Sequence, residues 1–353
     1  MTRSIQLIAL AWFFLFNVSC SNPEAKTEAA YMAAGRQPQI AVDSKGTIRV
    51  VYGQDDSIYC ATSIDNGETF SKPELVGQVE GLYLGMSMGP QIASSANYSM
   101  VTAIDKKGNI HSFRLSPGAN AWAKAASVND IPGSVPEGLM SIDADENDTF
   151  YAVWLDVRDG KQNKIVFAST SGEANTWSSN KVVYASPDKT VCECCKPSID
   201  VMGNQVVLMF RNWLDGARDF YLTRSTDGGK NFDQPQKLGT GTWKLEGCPM
   251  DGGGIFLDSQ HMIHTAWQRD GNIFYAQPSK PEVQIGQGRN CRVSGAKDLI
   301  ISWKDGADLK VKHLSSGRET TVGTGSYIET IALADQKFLC VWEDKGKIHF
   351  RKI

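Results

Sequence analysis

The sequence predicts an all-β chain assembled from seven repeats of four short strands, and three observations predict it. Short apolar runs ending in an aromatic residue recur through the chain, from Val50-Val51-Tyr52 to Leu339–Trp342. A second aromatic series, Phe70, Trp122, Trp177 and Phe232, runs beside the first at intervals of 52, 55 and 55 residues. The composition agrees: 33 Gly, 9% aromatic and 41% hydrophobic residues are too apolar for disorder and too rich in turn formers for a helical bundle. With 36 basic and 39 acidic residues and no basic run, the chain lacks the charged face of a nucleic-acid binder.

The first segment, residues 1–19, reads as a signal peptide. Arg3 precedes Ile5 to Phe16, apolar except for Gln6 and too short to span a bilayer. Ser19-Cys20 resembles a bacterial lipobox, in which the cysteine becomes the lipidated first residue of the mature chain; Asn17 stands where that pattern usually has Leu. Residues 20–34 then form a polar, Ala-rich tether, and 35–353 a single repeat domain. The expected location is an exported one, an outer-membrane or cell-surface lipoprotein on the periplasmic side or the exterior, with the membrane reached through the Cys20 lipid.

The seven runs end at Tyr52, Ala103, Trp154, Phe210, Trp267, Trp303 and Trp342, at intervals of 51, 51, 56, 57, 36 and 39 residues. Each has strand composition and is bounded by Gly, Asp or Asn, and several follow another short strand such as Gln39–Val42 or Ser198–Val201. The last repeat, from Ser326, has room for only three strands, so the segment before Arg36 is expected to supply the fourth and close a ring. Two short final intervals leave six repeats plus a degenerate one as the alternative.

Two members of the second aromatic series close the motifs Ser63-Ile-Asp65-Asn-Gly67-Glu-Thr69-Phe70 and Ser225-Thr-Asp227-Gly-Gly229-Lys-Asn231-Phe232. These resemble the Asp-box of sialidase-like β-propellers, also called the BNR repeat. Its chemistry is structural: the carboxylates of Asp65 and Asp227 accept backbone N–H groups across a turn, glycine permits positive φ, and the aromatic ring pins the turn. The resemblance implies a β-propeller of four-stranded blades. In that topology the loops leading into first strands and those leaving second strands share one face, and the Asp-box turns occupy the other.

That sorting gathers reactive side chains at one mouth of the channel. Cys192, Cys194 and Cys195 in one loop, Cys248 and Met250 in the next and Cys291 beyond them fall there, whereas Cys60 and Cys340 lie in strand patterns typical of core thiols. In an exported protein, disulfides between neighbouring blades, such as one from the Cys192–Cys195 loop to Cys248, are one reading. A soft-metal site is another, since thiolate and thioether groups select copper(I) or zinc, with Met86, Met88 and Met250 as further soft ligands. A redox-active thiol is a third.

The sialidase resemblance carries over to four positions. Arg36-Gln37-Pro38 resembles the Arg-Ile-Pro segment bearing the first substrate-clamping arginine, and Asp56 falls where the family has its acid/base Asp. Tyr327 would be the nucleophile and Glu246 its general base. Guanidinium groups would bind a sialic acid carboxylate bidentately, and a Tyr nucleophile avoids charge repulsion with it. Three functions therefore stand open. The leading expectation is a membrane-anchored, extracytoplasmic propeller with a Cys-rich ligand site for copper or zinc that is not a standard hydrolase. The others are an exo-α-sialidase or related glycoside hydrolase acting on anionic glycans, and a disulfide-stapled propeller that binds a protein partner.

Overall fold

The computed structural model describes residues 29–188 and 190–353; residues 1–19, expected to be a signal peptide, and Cys20, expected to be lipidated, lie outside them. Each of the seven apolar runs, six ended by an aromatic residue and one by Ala103, falls within the second strand of its own four-stranded antiparallel sheet, giving seven blades and no helix among the described residues. The six-blade alternative is thereby set aside. The first strands of successive blades (Arg36–Val42, Gln91–Ser94, Met140–Ala144, Ser198–Met202, Gly254–Leu257, Arg289–Gly295 and Ser326–Ala332) contact one another in order, and the last returns to the first. They surround the channel.

The second strands read as continuous apolar runs because a neighbouring blade covers each face. In Thr149–Asp156 all residues but the first are buried. Trp154, Trp303 and Trp342 are fully buried at equivalent places. Trp154 also satisfies its indole N–H by donating to Asp156 Oδ2 at 2.8 Å, so it fills the space between blades without an orphaned donor. Truncating such a ring to Ala costs about 3–5 kcal/mol.

The ring closes as the strand count requires. Ala30–Ala34 pairs with Lys347–Lys352, supplying the outermost strand of the seventh blade from the opposite end of the chain.

The Asp-boxes join third and fourth strands. Asp65 Oδ1 accepts from Ser63 Oγ (2.7 Å) and Thr69 N (3.0 Å), and Asp227 Oδ1 accepts from Ser225 Oγ (2.7 Å) and Asn231 N (2.8 Å). These bonds favour the ionised form and hold both carboxyls well below the usual range; the side chain of Thr69 contributes most to Asp65 and that of Ser225 most to Asp227. Phe70 meets Phe350 of the seventh blade edge-on at 4.9 Å, and Phe232 meets Phe167 of the third at 5.2 Å. Each box thus fastens its blade to the preceding one.

Candidate functional site

Cys192 follows the fourth strand of blade three and leads towards the first strand of blade four. Its N–H donates to Arg211 O (3.0 Å), which ties the loop to the end of the second strand of blade four. The following Glu-Cys-Cys turn folds the sulfurs inward: Cys192 Sγ lies 3.3 Å from Cys195 Sγ and 3.7 Å from Cys194 Sγ. All three sulfurs fall within 4.8 Å of one another. Cys194 is disulfide-bonded to Cys248 of the next blade, across 54 residues of sequence. Cys248 is exposed and Cys194 half-buried, while Cys192 and Cys195 are buried thiols. The group therefore extends from the surface to the interior.

Two arginines back the cluster. Arg218 Nη1 donates to Cys192 Sγ at 3.0 Å and lies 3.4 Å from Glu193 Oε2, and its guanidinium stacks on the Trp213 ring at 4.3 Å. Arg211, 1% exposed, stacks on Phe220 at 4.1 Å and donates to the carbonyls of Arg218 and Gln268. The Cys192 thiol is drawn down to about 7. The hydrogen bond with Cys195 contributes most, burial opposes it, and the charges of Arg211 and Arg218 add to the pull. Burial holds Cys195 well above the ordinary thiol range, and its contact with Cys192 adds to the rise.

Cys291, expected at this mouth, is elsewhere. It is 0% exposed and packs with Ala266, Ile273 and Val293, and burial pushes it up to about 12. The cause is a bulge that turns Cys291 away from the channel and places Arg292 in it. Cys60 and Cys340 are core thiols, as their strand pattern predicts. Met250 is 43% exposed beside Cys248, and its backbone carbonyl accepts from Arg289 Nη2 at 2.9 Å. Met86 is also exposed, and Met88 packs against the core between blades.

The four residues carried over from the sialidase pattern have separate surroundings. Arg36 is half exposed and pairs with Glu343 at 3.5 Å. Asp56 Oδ1 accepts from Gly81 N (3.0 Å), bracing a turn. Glu246 is exposed in the loop that carries Cys248. Tyr327 Oη accepts from Met86 N at 3.0 Å and lines a small recess with Gln37, Arg292 and Glu329.

Just beneath the cysteines is a feature the sequence reading missed. Seven residues pair with the position one before the end of each run of the first series: Gln39, Gln91, Ser141, Ser198, Gly254, Arg292 and Glu329. They form a ring, one from each blade, and all seven line one cavity of about 130 Å³. Arg292 Nε donates to both Glu329 oxygens (2.9 and 3.0 Å), and Gln39 Nε2 donates to Glu329 Oε1 (2.8 Å). Lys196, adjacent to Cys195, reaches the same cavity and donates to Gln91 Oε1 at 2.5 Å. Its amine is pushed down to about 7, chiefly by burial and then by the Arg292 charge, with Glu329 opposing.

A sequence signal for part of this ring exists. In blades six, seven and one a glycine stands four residues before the ring residue: Gly288 before Arg292, Gly325 before Glu329 and Gly35 before Gln39. A Cβ at Gly288 would lie 2.1 Å from Lys304 O, and one at Gly325 2.2 Å from Glu343 O. Two residues after each glycine, Asn290, Tyr327 and Gln37 adopt φ of 55°, 56° and 54°, and the pairing register slips there. The shared bulge aims the ring residue into the channel.

No protein-family model matches the chain, and no curated protein matches it. Solved structures do. The lectin BP39L from Burkholderia pseudomallei aligns over 91% of this chain and 96% of its own, with TM-score 0.67 and 11% identity. YCF48 from Cyanidioschyzon merolae aligns over 92% and 98%, with TM-score 0.60 and 11% identity. The α-L-arabinanase of Penicillium chrysogenum, solved with arabinobiose, aligns over 93% and 98%, with TM-score 0.53 and 10% identity. At these identities the likeness is one of fold: the chain shares its β-propeller architecture with this lectin, YCF48 and this arabinanase.

Proposed function

We propose that the chain is an exported, lipid-anchored propeller whose sulfur cluster binds a soft transition metal, copper(I) or zinc, when the Cys194–Cys248 disulfide is reduced. One observation carries this reading: three cysteine sulfurs lie within 4.8 Å of one another, and the fourth is bonded to one of them. A tetrahedral site with bonds of about 2.3 Å places its sulfurs about 3.8 Å apart. The 3.3 and 3.7 Å separations around Cys192 are close to that spacing. Reduction frees Cys194 and Cys248 beside Cys192 and Cys195, completing an all-thiolate set, and Arg218 and Arg211 offset part of its negative charge. Met250 flanks the set from the exposed side. The oxidised form is the staple between blades, so one group of residues supports both the disulfide and the metal states.

The test is anaerobic competition for copper(I) and zinc against a chromogenic chelator, before and after mild reduction. The reduced chain is expected to withdraw a single ion, and the oxidised chain, C192S and C195S none. A reduced chain that leaves all metal with the chelator overturns the reading. Anchoring is tested separately by incorporation of a clickable fatty acid, expected in the wild type and lost in C20A.

A glycoside hydrolase is the second reading, favoured by the recess that Tyr327, Arg292 and Glu329 share. It predicts cleavage of a fluorogenic sialoside that Y327F abolishes. Arg36, Asp56 and Glu246 lie outside that recess, which is why the metal reading stands first.

A further inference from the structure

The central cavity poses a chemical question that the sulfur cluster does not answer. Blade five lines it with Gly252, Gly253 and Gly254, and the absence of side chains there leaves space opposite the polar ring residues. Neighbouring backbone excludes a side chain at two of these positions: a Cβ on Gly252 would lie 2.8 Å from Lys196 O, and one on Gly254 would lie 2.7 Å from Val293 N.

The charges facing the cavity do not balance. Arg292 and Glu329 neutralise each other, and Gln39 adds a donor to the same carboxylate. Lys196 is 8% exposed, and its one hydrogen-bond partner among the described residues is the neutral Gln91 amide. An ammonium group has three donors, so two have no acceptor among the described residues, and the Glu329 charge is already matched by Arg292, an arrangement that is costly in a buried site. Arg292 uses Nε on Glu329 and Nη1 on Cys291 O, and its Nη2 has no protein acceptor among the described residues. A bound anion would supply what both groups lack.

We propose that this cavity binds a small hydroxycarboxylate, its carboxylate held by Lys196 and Arg292 and its hydroxyl donating to the side-chain oxygens of Ser141 and Gln91, whose own donors are taken by the carbonyls of Pro197, Gly89 and Pro90. A volume of about 130 Å³ is near that of a cavity that accepts benzene, so the ligand has roughly six non-hydrogen atoms or fewer. A two- or three-carbon hydroxy acid meets that limit. The charged head explains the buried lysine, and the side-chain amide and hydroxyl suit a polar tail better than an alkyl one.

Calorimetric titration of the oxidised, metal-free chain with glycolate, and in parallel with the neutral isostere glycolamide, tests the site. Saturable glycolate binding to a single site is expected, with glycolamide at least about tenfold weaker, because the carboxylate supplies the missing charge. K196M is expected to weaken glycolate by a similar factor. Equal binding of the two probes, no saturable glycolate binding, or full affinity in a folded K196M each overturns the proposal. If K196M does not fold, the wild-type comparison of glycolate with glycolamide decides alone. Since this titration involves neither reduction nor metal, its failure leaves the sulfur-cluster reading intact, and the reverse also holds.

Discussion

The guanidinium of Arg218 bridges the Cys192 sulfur, at 3.0 Å, and the Glu193 carboxylate, at 3.4 Å, while its face rests on Trp213. The side chain is 3% exposed, so its charge is matched almost entirely within one loop. Replacing Arg218 with Met leaves Glu193 and Cys192 without their cation and is expected to lower stability by roughly 1–3 kcal/mol in thermal or urea melts. R218K should restore only part of that loss, because an ammonium cannot reproduce the stacked, forked geometry. A lysine variant as stable as the wild type would show that charge alone matters there.

The sulfur inventory is directly countable. Denatured without reductant, residues 29–353 should expose five reactive thiols, those of Cys60, Cys192, Cys195, Cys291 and Cys340, rising to seven after reduction. Peptide mapping should find the linked pair as Cys194 and Cys248. C248S is expected to cost about 2–4 kcal/mol under oxidising conditions by removing a cross-link between consecutive blades. A count of three before reduction would mean that Cys192 and Cys195 are also oxidised.

Two aspartates between first strands set a pH dependence. Asp143 Oδ2 accepts from Val201 N at 2.8 Å, and Asp200 Oδ2 accepts from Leu257 N at 2.9 Å, so each joins its blade to the next. Burial pushes Asp143 up to about 7 and holds Asp200 well above the usual carboxylate range, with the Asp143 charge adding to the latter. A carboxyl raised on folding is most favourable below its unfolded value, and its contribution is lost as pH rises through the folded one. The wild type should therefore lose stability between about pH 4 and pH 8 relative to D143N, whose amide oxygen can still accept the Val201 N–H. At pH 8 the variant is expected to be more stable by roughly 1–3 kcal/mol, with the gap closing near pH 4, in paired denaturant melts. A gap that widens towards acid would refute this.

The bulge glycines offer a sharp steric comparison. G288A forces a methyl group against Lys304 O, and a loss of about 2 kcal/mol or more is expected. Gly306, with φ of 58° and nothing within 4 Å of a built Cβ, serves as the control; G306A should cost only the backbone strain of about 1 kcal/mol. Similar losses at the two sites would mean that the bulge relaxes around the methyl.

What the sequence made legible follows from burial. Second strands are covered on both faces, so their apolar runs and terminal aromatics survive as a countable repeat, and Trp154, Trp303 and Trp342 mark it well. Asp65 and Asp227 were readable because a turn of that kind needs a fixed set of side chains at fixed spacing. First strands carry no such mark, since the channel accepts Gln, Ser, Gly, Arg and Glu alike at one equivalent position. Cys291 was misplaced because a single bulged residue reverses which face a strand residue presents. Lys196 was passed over because an isolated lysine ordinarily belongs to the surface, and only the packed ring shows it inside.

The pairing of Ala30 with Phe350 makes the two ends of the chain a single structural event. The seventh blade cannot be completed before Lys347–Lys352 is made, because its outermost strand precedes every other strand of the propeller and its remaining three follow them all. Until then the early strand has no partner and the growing ring keeps an open edge, the kind of surface that invites pairing with other chains. Deleting either Ala30–Ala34 or Lys347–Lys352 should therefore open the same seam, and a covalent clamp between those two strands would protect the whole ring.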